Sequence, residues 1–158
     1  MAIAASIRDF LRRERVPYTI FAHRPAYSAQ QEAQVAHIQG RHWAKAVVCF
    51  ADAEPILAVV PATLKVDLER LCALARAGTL RLATEAEMNG MYPECELGAM
   101  PPFGPMYKQR VFVDKSFVGD PEMVFNGGTH TDAVCMHYGD FADIVKPTVG
   151  SFARPLHD

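Results

Sequence analysis

The chain has 158 residues, half of them apolar, and a formal net charge of −2 at pH 7. This length and composition suit one domain with its own hydrophobic core, and we expect a single domain over residues 1–158. The small negative charge argues against a broad basic surface that holds nucleic acid by phosphate neutralisation alone.

Helices and strands alternate in the first part of the chain. Apolar residues at helical spacing predict an amphipathic helix over residues 2–14, and a strand follows at residues 18–21. Ser28 is a candidate N-cap for a helix that runs to about Ile38, with Gln31 completing a capping box and Gly40 as its stop. A hairpin of two apolar strands is predicted next, over residues 44–51 and 56–60.

The second part of the chain continues with short elements. Asp67 begins a helix that Gly78 ends, and Thr84 with Glu87 predicts a capping box over a short helix. Further strands are predicted at residues 80–82, 111–113, 123–125 and 133–136, and a last short helix follows residue 139. Strands outnumber long helices and several are linked as hairpins. The prediction is therefore a mixed α/β (α+β) fold with a mixed or largely antiparallel sheet, not a doubly wound parallel one.

Lys45 needs an explanation that a surface lysine does not. It lies at the mouth of the apolar strand over residues 44–51, where a lone ammonium is costly unless it reaches water or meets an anion. Its natural partner would be a phosphate or a developing oxyanion. The alternative is that Lys45 lies one residue outside the sheet and extends into solvent without a role.

A second unusual feature is the loop over residues 92–105, which contains four prolines and two glycines. Proline fixes φ and glycine opens conformations that other residues avoid, so such a loop is stiff and shaped. It can present backbone N–H groups to a ligand at little ordering cost. The alternative is a rigid connector between two strands.

Together, Lys45 and this loop resemble the YbaK/ProX family of aminoacyl-tRNA deacylases, free-standing relatives of the editing domain in many bacterial prolyl-tRNA synthetases. Gly98 and Pro102 match the family's Gly-x-x-x-Pro motif. The resemblance runs from about Val16 to Pro147 through an ordered set of segments: residues 44–51, 55–61, 94–104, 125–130 and 140–147. One departure is the sequence at residues 126–128, Asn-Gly-Gly, where many relatives carry a small residue and a single glycine.

The resemblance implies a curved, barrel-like mixed β-sheet flanked by helices. It also implies a trans-editing hydrolase that cleaves the ester of a mischarged tRNA, with a tRNA for proline carrying a wrong small amino acid as the leading candidate. The expected catalytic residues are Lys45, which would bind the terminal phosphate or the ester carbonyl region, and Gly98, whose loop would bring amides to the oxyanion. Water would be the nucleophile, assisted by the free ribose hydroxyl. The expected substrate-binding residues are Ala99, Met100, Pro101, Pro102, Gly128 and His130.

The expected partners are the acceptor end of tRNA and, as a further candidate, an aminoacyl-tRNA synthetase; no cofactor is expected. The six histidines show no zinc spacing, so no metal is expected either. Cys95 is a candidate nucleophile, but no base is evident beside it. His130 is equally a pocket wall or a solvated turn residue. Two other functions stay open: a non-catalytic aminoacyl- or nucleotide-binding module associated with a synthetase, and an esterase for small aminoacyl esters.

Cysteine usage and the N-terminal segment predict a cytoplasmic location. The four cysteines include no Cys-x-x-Cys pair, which is typical of reduced thiols. The first seven residues are apolar but lack a basic leader, and no apolar stretch approaches membrane-spanning length.

Overall fold

A five-stranded mixed sheet organises the fold in the computed structural model, which describes residues 3–156. The strands, numbered along the chain, are β1 (Thr19–Ala22), β2 (Ala44–Ala51), β3 (Glu54–Pro61), β4 (Leu64–Val66), β5 (Leu80–Leu82), β6 (Arg110–Asp114), β7 (Met123–Asn126), β8 (Asp132–Met136), β9 (Thr148–Gly150) and β10 (Ala153–Pro155). The order in the main sheet is β5-β2-β3-β6-β9. The β2–β3 hairpin is antiparallel, whereas β6 and β9 join in parallel. The predicted mixed α/β architecture is therefore confirmed.

The α-helices are α1 (Ala5–Glu14), α2 (Ala29–Val35), α3 (Leu68–Ala75), α4 (Glu85–Met91) and α5 (Tyr138–Val145), and short 3₁₀ helices cover Gly40–His42, Gly104–Tyr107 and Lys115–Phe117. Residue 2, where the first predicted helix begins, lies outside the described residues, but residues 3 and 4 are not helical and α1 begins later than predicted, at Ala5. Among residues 3–156, no helix combines the length and the apolar character needed to cross a bilayer.

The main sheet carries apolar side chains on both faces. One face packs against α3, where Leu71 and Ala75 meet Ile56 and Phe112. The other face packs against α1, the proline-rich loop, β7 and α5, and its fully buried aromatic residues are Phe103, Phe117, Phe125 and Phe141. The sheet is thus a rigid central layer on which neighbouring loops are held.

The expected barrel-like closure is wrong, because the sheet stays open. A separate antiparallel sheet, β1-β8-β7, lies beside the main one. In the described part of the chain, a single parallel bridge outside the named strands, Trp43 to Val124, joins β7 to the residue before β2. The outer strands β5 and β9 are only three residues long. Hydrogen bonding therefore does not continue around the sheets.

Two predicted helix ends are also wrong. Helix α2 ends at Val35, before Ile38, because His37 adopts φ 59° and the Ile38 amide turns back to the Ala33 carbonyl. Helix α3 likewise ends before Gly78, with Arg76 at φ 55°. In both cases a residue other than glycine takes the left-handed conformation that closes a helix.

Candidate functional site

A cavity of about 270 Å³ opens along one edge of β2. On this edge β5 pairs with residues 49–51 of β2, and β7 forms a parallel bridge to Trp43, the residue before β2. Residues 44–48 lie between these two points and line the cavity. The other lining residues belong to α2, β5, α4, the proline-rich loop and β7 or to the segments just before α2, before β2 and after β5: Tyr27, Ala29, Glu32, Trp43, Leu82, Ala83, Met88, Gly98, Met100 and Asn126.

The exposed strand edge places a peptide group in the cavity. Ala83 N–H donates to Val48 C=O on this side of β2. Peptide groups of alternate residues in a strand point the same way, so the N–H and C=O of Ala46 also face the gap. The small Ala46 side chain leaves this peptide accessible.

Lys45 is half-buried and lines the cavity, as its position in the sequence indicated. Burial lowers the pKa of its ammonium group. Among residues 3–156, no carboxylate forms an ion pair with it. Lys45 also borders a second groove of about 530 Å³, which Lys65 and Arg154 line with Asp67 and Glu69. Lys45 therefore borders both the cavity and a groove of mixed charge.

The proline-rich loop is held by the turn that follows β7. Gly128 accepts a hydrogen bond from Glu96 N–H at 2.8 Å and donates its own N–H to Ala99 C=O at 3.0 Å. His130 N–H donates to the Glu96 carboxylate at 2.6 Å, and His130 Nε2 lies 2.7 Å from Leu97 O. These contacts fix the loop from one side, so Gly128 and His130 support it without lining the cavity.

Within the loop, Gly98 and Met100 border the cavity. Gly98 has φ 82°, a conformation that glycine adopts without strain. The Ala99 amide is already bonded to Glu96 O at 3.0 Å. Within the described part of the chain, the amides of Gly98 and Met100 have no protein acceptor. Because Gly98 and Met100 border the cavity, their amides are the candidate loop donors to a ligand there.

The other predicted substrate-binding residues of the loop lie behind this surface. Ala99, Pro101 and Pro102 are buried and do not line the cavity. Pro101 and Pro102 fix φ at the two positions that follow Met100.

Glu32 is a cavity residue that the sequence did not single out. It lies on α2 and is only 2% exposed. Its Oε1 is 3.3 Å from His130 Nδ1, whereas Oε2 has no hydrogen-bond partner among the described residues. Burial raises the pKa of the carboxyl to about 7, against the smaller opposing effects of His130 and Asn126. The side chain is therefore poised between its neutral and ionised forms near neutral pH.

Cys95 lies in the same loop but outside this cavity. Burial raises the pKa of its thiol to about 11. Its polar neighbour is the Tyr107 hydroxyl at 3.9 Å, a group that does not act as a base near neutral pH. The thiol is therefore protonated and poorly nucleophilic. In the described part of the chain, no three His, Cys, Asp or Glu side chains come together in a way that could hold a metal ion.

The sequence and the fold were compared with known proteins. The family model for an aminoacyl-tRNA editing domain matches residues 23–144. No curated protein sequence matches the chain significantly.

Solved structures show the same fold at low sequence identity. The hypothetical protein APE2540 superimposes with a TM-score of 0.85 at 13% identity, over 94% of this chain and 99% of that one. A proposed trans-editing enzyme for prolyl tRNA synthetase superimposes with a TM-score of 0.79 at 20% identity, over 97% of this chain and 99% of that one.

Proposed function

The chain belongs to the aminoacyl-tRNA editing domain family, and on that premise we propose that it is a trans-editing deacylase, which hydrolyses the ester of a mischarged tRNA. The observation that carries the proposal is the cavity in which Lys45 lies together with the free amides of the Gly98 loop. A half-buried cation and unpaired N–H donors in one cleft are suited to an ester whose carbonyl oxygen becomes negative during hydrolysis.

In this mechanism the site accelerates hydrolysis mainly by orienting the ester and by stabilising the negative charge that develops on it. The amides of Gly98 and Met100 donate to the developing oxyanion, and Lys45 binds the terminal phosphate or the carbonyl region. Water attacks the ester carbon, and the free ribose hydroxyl of the substrate assists it. An aminoacyl ester is already activated, so orientation and charge stabilisation can supply much of the rate.

The groove beside Lys45 is the proposed position of the last nucleotide. Lys65 and Arg154 border it, and cationic side chains there suit a phosphate. Few such contacts fit a protein with a net charge of −2, so we infer that it holds the acceptor end alone or acts beside a synthetase. This role places the protein in the cytoplasm, where charged tRNAs are used.

The volume and the apolar lining of the cavity favour a small amino acid. Likeness to a proposed trans-editing enzyme for prolyl tRNA synthetase supports a tRNA for proline as the substrate.

The proposed function is tested by a deacylation panel of alanyl, cysteinyl, seryl and threonyl forms of tRNA for proline, with the same amino acids on their own tRNAs as controls. Rapid hydrolysis of one or more mischarged forms is expected. If every RNA is inert while a free aminoacyl ester is cleaved, the protein is an esterase. Binding without turnover of any ester would identify a binding module.

We expect Met88→Ala to relax selection against larger side chains. Met88 is half-buried and forms part of the cavity wall. One methylene in an apolar pocket changes discrimination by about tenfold or more, so kcat/KM for a valyl ester should rise about tenfold relative to an alanyl ester. Met106→Ala is the matched control, because Met106 is half-buried outside this cavity. An unchanged ratio in Met88→Ala would mean that this wall does not limit side-chain size.

We expect Cys95→Ser to keep deacylation within about threefold of wild type, because the Cys95 thiol is protonated and lies outside the cavity. Single-turnover hydrolysis measures the rate, and mass spectrometry of the quenched wild-type reaction should find no acyl group on Cys95. An acylated thiol, or complete loss of turnover in the folded variant, would instead establish a covalent mechanism.

A further inference from the structure

Two buried oxygen atoms that line the cavity have no hydrogen-bond donor among residues 3–156. They are Oε2 of Glu32 and Oδ1 of Asn126. The two side chains are 2% and 9% exposed. A buried acceptor without a donor is unfavourable, and two in one cavity suit a ligand that brings donors of its own.

The contacts of His130 explain why Oε2 of Glu32 is left for a ligand. Leu97 O can only accept, so His130 Nε2 carries a proton and donates to it at 2.7 Å. The other ring nitrogen, Nδ1, faces Oε1 of Glu32 at 3.3 Å. With Glu32 ionised, Nδ1 must also carry a proton and donate to Oε1, and this hydrogen bond occupies one carboxyl oxygen and fixes the side chain. Asn126 also lowers the pKa of the carboxyl, but Oε2 of Glu32 has no partner that meets hydrogen-bond geometry among the described residues.

We propose that Glu32 and Asn126 form the subsite for the free α-ammonium group of the aminoacyl ester. The inference rests on the proposed function and names the part of the substrate that these residues recognise. An ammonium has three N–H donors and no acceptor, so it can satisfy both oxygens at once. Burial raises the pKa of Glu32 to about 7, and a bound cation opposes that effect because it stabilises the ionised form.

The charges of the cavity then orient the substrate. Lys45 and Glu32 both line it, and an α-ammonium is repelled by the first and attracted by the second. The amino group therefore lies toward α2, and the ester carbonyl lies toward Lys45 and the Gly98 loop. Esters that lack a free amino group, such as N-acylated aminoacyl or α-hydroxyacyl esters, carry no positive charge there and offer one N–H or O–H donor in place of three. They leave at least one of the two oxygens unpaired and are disfavoured.

The test compares two esters that differ only in this group: the best aminoacyl-tRNA of the panel and the α-hydroxyacyl-tRNA with the same side chain. Wild type should prefer the aminoacyl form. Glu32→Gln replaces a charged acceptor by a neutral one, so kcat/KM for the aminoacyl form should fall about ten- to thirtyfold, with less than threefold change for the hydroxyacyl form. Equal losses on both esters, or no loss on either, would overturn the proposal.

Controls separate this selective loss from misfolding. Glu54→Gln makes the same chemical change at an exposed carboxylate that pairs with Arg110, and it should leave both rates unchanged. Glu32→Gln removes a carboxyl whose pKa is raised by burial, so its thermal midpoint at pH 8 should equal or exceed that of wild type. Asn126→Ala should show the same selectivity with a smaller loss, about three- to tenfold.

A binding measurement distinguishes failure of the subsite from failure of the proposed function. The probe is a 3′-aminoacylamino adenosine, whose amide resists hydrolysis, compared by calorimetry with the same molecule lacking the α-amino group. Tighter binding of the amino form, lost in Glu32→Gln, supports the subsite even if wild type hydrolyses no tRNA. Hydrolysis by wild type with equal affinity for the two probes would leave the deacylase proposal intact and refute the subsite.

Discussion

Lys45→Ala is expected to lower kcat/KM for the mischarged tRNA by about 10²–10³-fold while leaving the fold intact. Loss of one group that stabilises developing charge in a cleft has effects of this size. Stability should change little, because Lys45 is half-buried and forms no ion pair within the described residues. Single-turnover hydrolysis and circular dichroism measure the two parts of this prediction.

Lys115→Ala is the matched control for the loss of a positive charge, since Lys115 is exposed and lies outside the cavity and the groove. It should retain wild-type activity. Lys45→Arg keeps the charge but changes its shape, and it should recover part of the rate if Lys45 binds a phosphate. A folded Lys45→Ala protein with activity within a few-fold of wild type would show that the cation has no role in the reaction.

For α2 and α3, local chemistry in the sequence predicted where the helix begins but not where it ends, whereas α1 ends at Glu14 as predicted and begins later than predicted, at Ala5. Ser28, Asp67 and Thr84 each accept a backbone hydrogen bond at a helix start, and Thr84 completes the predicted capping box with Glu87. An N-cap is recognisable because its side chain makes the bond. The helix ends were missed because His37 and Arg76 close their helices in the left-handed conformation. Glycine and asparagine favour that conformation and so predict a helix end, whereas histidine and arginine do not.

Tertiary pairing accounts for the strands that were not predicted. Strands β4, β9 and β10 have three residues each. Strand β10 contains a proline and pairs only with β4. Segments this short carry no usable periodicity, and their partners are distant in the sequence.

The sequence located one side of the cavity and not the other. Lys45 and Gly98 were identified because a cation in an apolar strand and a glycine in a proline-rich loop are locally unusual. Glu32 is locally ordinary in the sequence, because acidic residues are common in the first turn of a helix. A helical projection would have placed it in an alanine stripe, since Ala29, Ala33 and Ala36 all pack in one cluster. The spacing i, i+3, i+4 and i+7 marks a buried helix face, and a carboxylate there requires a partner. The proximity of Glu32 and Asn126 depends on the packing of α2 against β7 and could not be deduced from the sequence.

Gly98→Val should reduce deacylation at least a hundredfold through backbone shape. Gly98 has φ 82°, and a β-branched side chain strongly disfavours that region. The loop must therefore move, and a displacement of about 1 Å at a reacting centre lowers the rate about 10²-fold.

The nearest atom to a Cβ added at Gly98 is His130 Cε1 at 3.7 Å, an ordinary contact. Gly98→Ala should consequently show a smaller loss that arises from φ alone. Gly139→Ala is the control, because nothing lies within 4 Å of its added Cβ. Kinetics of the three variants, with thermal unfolding of each, separate loop geometry from global stability. Equal activity of wild type and a folded Gly98→Val would exclude the loop amides from the reaction.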